Sequence, residues 1–246
     1  MKFYIDNKEV KTINTGASIK GTFNSPSRTA SFSYIYKKGI EETKAKYEST
    51  VLIENDENKP LFRGLITKLV YYPSESLIEI EAKDLLSTLL ETKIEGRYKG
   101  TLIEIISELF GNFDFLNMPG ILNELNIVSL GGLSAFDIIQ IAVSQIFGDD
   151  IKIYLDGNSK FKILIPSIMK PDAELITGRD IISAFFMKDE NSNSAKITAF
   201  NNDDVISGSI IKIKDKNIEG CFLVESDIHT YSYQNTMTLN LKERRV

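Results

Sequence analysis

The chain has 246 residues, and 29 Lys and Arg against 34 Asp and Glu leave a formal net charge of −5. Proteins that coat DNA or RNA draw affinity from phosphate neutralisation and normally carry a basic surplus, which is lacking here. With 42% hydrophobic and 26% charged residues, but one His, one Cys and no Trp, this is a globular composition poor in the side chains of metal and acid–base chemistry.

The first third reads as β. Residues Lys2–Ile5 and Glu9–Ile13 flank the turn Asp6-Asn7-Lys8, and Thr29–Tyr36 alternates apolar Ala30, Phe32, Tyr34 and Tyr36 with Thr29, Ser31 and Ser33. Period-two alternation is the mark of a half-buried strand. Strands are also expected over Lys46–Glu54, Leu61–Tyr72 and Leu77–Lys83, with Asp84 as N-cap of a short helix, Leu85–Glu91. The middle changes period. Thr101 and Glu104 form a capping box before Leu102–Phe110, and Ser134 and Asp137 repeat it before Phe136–Phe147, with Gly111 and Gly148 as stops. Between the helices lies a looser stretch, 112–130. The last third returns to β: a hairpin 151–155 and 160–165 across Asp156-Gly157-Asn158-Ser159, then Ile181–Met187, Ala195–Phe200, Ser209–Lys214, Cys221–Thr230 and Thr236–Lys242. The fold class expected is α+β, mainly β, with β domains at 1–92 and 151–246 around a small helical subdomain at 93–150.

Cys221 has no partner for an internal disulfide, and the charged N-terminus lacks the apolar core of a signal peptide. The most apolar stretch, 135–147, falls short of the ~20 residues of a membrane span. The expectation is a protein made in the cytoplasm, with no membrane anchor.

Candidate chemistry is thin. Cys221 and His229 lie eight residues apart, which on one strand is roughly 26 Å and beyond hydrogen-bond reach, so they read as a core-side cysteine and an exposed histidine. Asp149-Asp150 follows a helix and lacks the spacing of a calcium loop. Glu41-Glu42, Asp203-Asp204 and the pair Glu225 and Asp227 sit in loop or exposed-strand contexts, and Gly131-Gly132 is followed by no Gly-Lys-Ser/Thr. The basic runs Lys37-Lys38, Lys44 with Lys46, and Arg244-Arg245 are diluted by Glu. No catalytic residue, cofactor site or metal site is assigned, and the chain is not read as an enzyme.

The last hairpin is more informative. Phe222, Val224 and Ile228 match Met237, Leu239 and Leu241 on one face; Glu225, Asp227 and His229 match Thr236, Thr238, Asn240 and Lys242 on the other. Long amphipathic strands of this kind belong to sheets with one wet side.

The run from Gly220 to Leu241, with Ser226-Asp-Ile-His-Thr230 and Thr236-Met-Thr-Leu-Asn-Leu241, resembles the closing hairpin of baseplate hub proteins of contractile phage tails, tailocins and phage-derived contractile injection systems. Ser27-Arg28-Thr29-Ala30-Ser31-Phe32, Leu61-Phe62-Arg63-Gly64-Leu65-Ile66 and Ile80-Glu-Ala-Lys-Asp84-Leu-Leu86 are similar to three further motifs of that family, in order. The resemblance implies two tail-tube-like β-barrel or sandwich domains and a homotrimer whose ring adapts the six-fold tail tube to a trimeric spike. The partners it implies are the chain itself, the tail tube protein, the central spike protein and the tape-measure protein, with DNA or cargo only passing through the lumen. The protein would end up in the baseplate of a virion or phage-like particle. The chain is short for such a hub, so the extra binding domain of longer members is not expected.

On this reading Glu225, Asp227, Thr236, Thr238 and Asn240, with Thr29, Ser31, Ser33, Glu79 and Glu81, line the lumen, and a net negative charge suits cargo that must slide. Two alternatives are a β-rich glycan-binding tail module, which needs an aromatic-lined concave site, and a cell-wall hydrolase, which needs two carboxylates facing across a cleft.

Overall fold

The computed structural model describes residues 1–10, 12–35, 45–110, 123–149, 151–188, 193–216 and 218–244. The first part runs β1 (Lys2–Ile5), β2 (Lys8–Val10), β3 (Thr12–Thr22), β4 (Ser25–Ile35), β5 (Thr50–Glu54), β6 (Pro60–Tyr72) and β7 (Leu77–Asp84). The middle holds α1 (Leu86–Glu91), β8 (Lys93–Gly100), α2 (Leu102–Phe110), β9 (Leu125–Ser134) and α3 (Ala135–Phe147), then the hairpin β10 (Lys152–Leu155) and β11 (Phe161–Leu164). The last part runs β12 (Ala173–Ile176), β13 (Ile181–Lys188), β14 (Asn193–Phe200), β15 (Ile210–Lys214), β16 (Glu219–Tyr231) and β17 (Thr236–Glu243). The fold is α+β and mainly β.

Local sequence explains most of these elements. In β4 the side chains of Ala30, Phe32 and Tyr34 are buried and those between them face outward; Tyr36 lies outside the described residues. Asp6 and Asn7 take positive φ at the β1–β2 turn, the backbone a tight two-residue hairpin requires. Both capping boxes form: the Ser134 hydroxyl accepts from the Asp137 N–H while the Asp137 carboxylate accepts from the Ser134 N–H, and Thr101 and Glu104 do the same for α2. The short helix is capped differently from expectation. Leu85 holds the N-cap position, and the carboxylate of Asp84 is buried, taking the N–H groups of both Leu86 and Arg28.

The large sheet curls into a half-barrel. Its two halves repeat one pairing plan. In the first, β3 pairs β4, β4 pairs β7, β7 pairs β6, β6 pairs β5, and β5 pairs β1. In the second, β13 pairs β14, β14 pairs β17, β17 pairs β16, β16 pairs β15, and β15 pairs β12. Only the last step differs, antiparallel at β1 and parallel at β12. The register shifts at matching places too: in β6 between Ile66 and Lys68, and in β16 between Val224 and Ser226. One antiparallel ladder joins the halves, with Ser226–Tyr231 of β16 against Thr22–Ala17 of β3.

Each half has its own apolar cluster, one around Phe32, Ile53 and Ile80, the other around Ile197, Phe222 and Leu239. A third cluster packs α1, α2 and α3 together with the β8–β9 and β10–β11 hairpins. By packing, the middle unit therefore reaches beyond 93–150 in both directions, from Leu85 to Ile165, and is less purely helical than the sequence suggests.

Candidate functional site

Cross-strand neighbours in a sheet share a face, so the ladders define a polar surface running through both halves. One row reads Thr198, Thr238, Ile228, Lys20, Thr29, Lys83 from β14 to β7. The next reads Phe200, Thr236, Thr230, Ser18, Ser31, Glu81 and Lys68. The two rows cross the junction of the halves without interruption. A depression of about 390 Å³ lies on this face, lined in part by Ser18, Ser31, Ser33, Glu79 and Glu81. Polar groups of the face bond along the surface, inside the depression and beyond it: the Ser18 and Ser31 hydroxyls are 2.8 Å apart, the Asn240 amide donates to the Ser226 hydroxyl at 2.6 Å, and Tyr72 donates to the Glu79 carboxylate at 3.1 Å.

The structure brings Thr29, Ser31, Ser33, Glu79, Glu81, Thr236, Thr238 and Asn240 together on this one face. Two residues expected with them lie elsewhere. Glu225 is exposed at the β16 bulge, where its carbonyl accepts from the Phe23 N–H at 2.7 Å. Asp227 is fully buried. The physical reason is the bulge itself, which adds one residue and moves every later side chain of the strand to the other face. Beyond it Asp227, His229 and Tyr231 take over the core side that Phe222 and Val224 occupy before it, and Ile228 turns to the polar face. His229 is thus buried instead of exposed, and Cys221, next to buried Phe222, is half-exposed instead of core-side. The sequence reading also left out Lys20, Thr198 and Lys196; alternation in Ala195–Phe200 carried the signal for the last two.

The polar face is not acidic. Lys20, Lys68, Lys83 and Lys196 stand on it with Glu79 and Glu81, so the net charge of −5 resides on other surfaces.

Behind the junction lies a buried charged cluster. Asp227 accepts the Ser207 N–H at 2.7 Å on one oxygen; the other is 3.5 Å from the Arg28 guanidinium and 3.5 Å from His229 Nε2. His229 Nε2 is 2.8 Å from the Val205 carbonyl and Nδ1 is 2.6 Å from Asn201 Oδ1, while the Asn201 amide donates to Asp203. Burial holds the imidazole below its usual pKa, against the pull of Asp227. Tyr231 donates to Asp203 at 2.8 Å, and burial followed by that carboxylate raises its phenol. From the middle unit, the Lys152 ammonium reaches the carbonyls of Thr22, Phe23 and Ser25 at the β3–β4 turn; burial lowers its pKa to about 8. Burial also raises Asp84 to about 6, opposed by the Arg28 N–H. Packing is tight here. A Cβ on Gly21, opposite Asp227 in the ladder, would sit 2.7 Å from that carboxylate and 2.9 Å from the Ser207 hydroxyl. Arg28, Asp203 and Tyr231 also border a pocket of about 250 Å³ with Lys59, Tyr154 and Asp156, while Asp227 and His229 are fully buried; the cluster ties the two halves and the middle unit to one another.

No protein-family model and no curated protein matches the sequence, and the likeness to known proteins lies in the backbone. The tail protein from Neisseria meningitidis superposes with a TM-score of 0.74 at 13% identity, covering 98% of this chain and 95% of that one. The 43 kDa tail protein of prophage MuSo2 from Shewanella oneidensis gives 0.73 at 13% identity, over 98% and 96%. The fold is that of phage tail proteins. It extends to a type VI secretion system component from E. coli, itself similar to the T4 bacteriophage tail proteins gp27 and gp5, with a TM-score of 0.66 at 9% identity over 100% of this chain and 77% of that one. Among the described residues of this tail-protein fold, no helix is long and apolar enough to cross a membrane.

Proposed function

We propose that the chain is a structural baseplate hub. Three copies form a ring, each contributing two tube-like half-sheets, so that six similar units surround one channel. One side of the ring meets a six-fold tail tube and the other a trimeric spike, while tape-measure protein, DNA or other cargo occupies or crosses the lumen. The observation that carries this reading is the polar face, shared by two halves with the same strand plan and unbroken at their junction. A sheet whose wet side spans both repeats is suited to line a water-filled bore, and the mixed Lys and Glu give a passing polymer no single-sign surface to adhere to. The eight residues that share this face are the proposed lining.

Light scattering and electron microscopy of the chain, alone and with its tube and spike proteins, test the reading. The expected particle has about three times the 27.7 kDa chain mass and a ring of near six-fold outline. A chain that stays monomeric with those partners present, or a ring with the Thr238 face outward, would overturn it.

A further inference from the structure

The repeat of the strand plan makes the junction inside the chain a template for a second one. β16 pairs β15 along its first residues and, past the bulge, gives the same edge to β3. β6 takes the same course: β5 covers its first residues, and past its bulge Lys68–Tyr72 pair with β7 alone among the described residues. The counterpart of β3 in the second half is β13, the end strand of the sheet, whose ladder is to β14. The chain therefore carries one completed junction and the two halves of another, at opposite ends of the repeat.

The side chains support this. At the completed junction Ile19 and His229 face each other at 0% and 1% exposure. At the other ends the counterparts of that pair are Phe186, half-buried, and Tyr71, 49% exposed with its hydroxyl donating to the Ala45 carbonyl, while on the opposite face Phe185 and Met187, the counterparts of Ser18 and Lys20, are 63% and 53% exposed. Long apolar edge strands left open to water are association sites. We infer that β13 of one copy pairs antiparallel with the Lys68–Tyr72 edge of β6 in a second copy, in the register of β3 on β16. Transferring that register through the matched bulges sets Val70 opposite Met187, Tyr71 opposite Phe186 and Tyr72 opposite Phe185, in place of Ile228 with Lys20, His229 with Ile19 and Thr230 with Ser18. The contact is head-to-tail, each copy using a different edge toward each neighbour, which gives a ring where the rotation closes and does not give a two-fold dimer. The inference rests on the ring proposed above and names the strands and register that close it.

Directly opposed residues of an antiparallel pair have Cα atoms about 4.5–5.5 Å apart, within disulfide reach. Chains bearing Val70→Cys and chains bearing Met187→Cys, each with Cys221→Ser, are mixed and oxidised. A covalent dimer is expected from the mixture and from neither variant alone, and none from Val70→Cys mixed with Phe186→Cys, whose side chains would point to opposite faces. A chain bearing both Val70→Cys and Met187→Cys should give covalent species up to a trimer. Phe185→Lys should weaken trimer formation at least tenfold with the thermal midpoint of the monomer unchanged. Trimers in light scattering without the mixed disulfide would overturn this pairing and leave the ring standing. A disulfide formed by one variant with itself would show a two-fold contact and overturn the pairing. Monomers under every condition would overturn ring and pairing together.

Discussion

β6 and β16 follow the same path through their half-sheets, yet the residues past their bulges have opposite character. In β16 these are Asp227 and His229, sealed beneath β3 and tied to Arg28, Ser207, Val205 and Asn201. In β6 the matching positions are Leu69 and Tyr71, half-buried and exposed. The difference shows what a covered edge permits. Where a second strand and a third element exclude water, a carboxylate is tolerated beside an opposite charge and a hydrogen-bond donor, here the Arg28 guanidinium and the Ser207 N–H. An edge without that cover carries apolar side chains.

The largest effect expected from breaking this contrast is at Asp227. Asp227→Ala leaves the Arg28 guanidinium buried without its carboxylate and should destabilise the fold by about 3–5 kcal/mol in urea unfolding. Leu69→Ala, at the matching position, removes a half-buried side chain from the other core and should cost about 1–2 kcal/mol. Equal losses at the two sites would show that the clamp adds nothing beyond packing.

Asp84 gives a signed pH test. Its native pKa of about 6 lies above the unfolded value of 3.8, so the native state holds the extra proton. That contribution is complete below the unfolded value and is lost as pH rises through about 6. Asp84→Asn should therefore flatten the fall in stability between pH 4 and 6 relative to the parent chain, whatever the offset from its altered backbone contacts. Parallel pH curves would show that Asp84 does not titrate in this window. The smallest effect belongs to the polar face. Thr238→Ser, with both neighbours on that surface, should change stability by no more than about 0.5 kcal/mol.

Strand β4, the β10–β11 hairpin and both capping boxes were legible because each is decided by residues within a few positions of one another. β3 was not: Gly16 and Gly21 interrupt a polar run, and its strand character comes from the two ladders on either side. The polar face was legible where strands alternate without a break, as at Thr29, Ser31 and Ser33. It failed at Asp227 because alternation is silent about an inserted residue, and Glu225 resembles any other strand position until the ladder forms. The buried cluster could not be read at all. Arg28, Asp84 and Lys152 come from three separate strands and meet Asp227 and His229 of β16 only in the folded chain.

The β16–β3 ladder has a kinetic consequence. Because both strands belong to one molecule, that junction closes at an effective concentration fixed by the intervening chain and is first-order, independent of how much protein a cell has made. In the proposed ring, half of the contacts would therefore be in place when each chain finishes folding, and only the other half would wait on encounters between molecules. In that proposed ring, two unlike repeats on one chain would also let the inner contact be permanent and charged while the outer one stays apolar, so that folding and assembly would be governed by different forces.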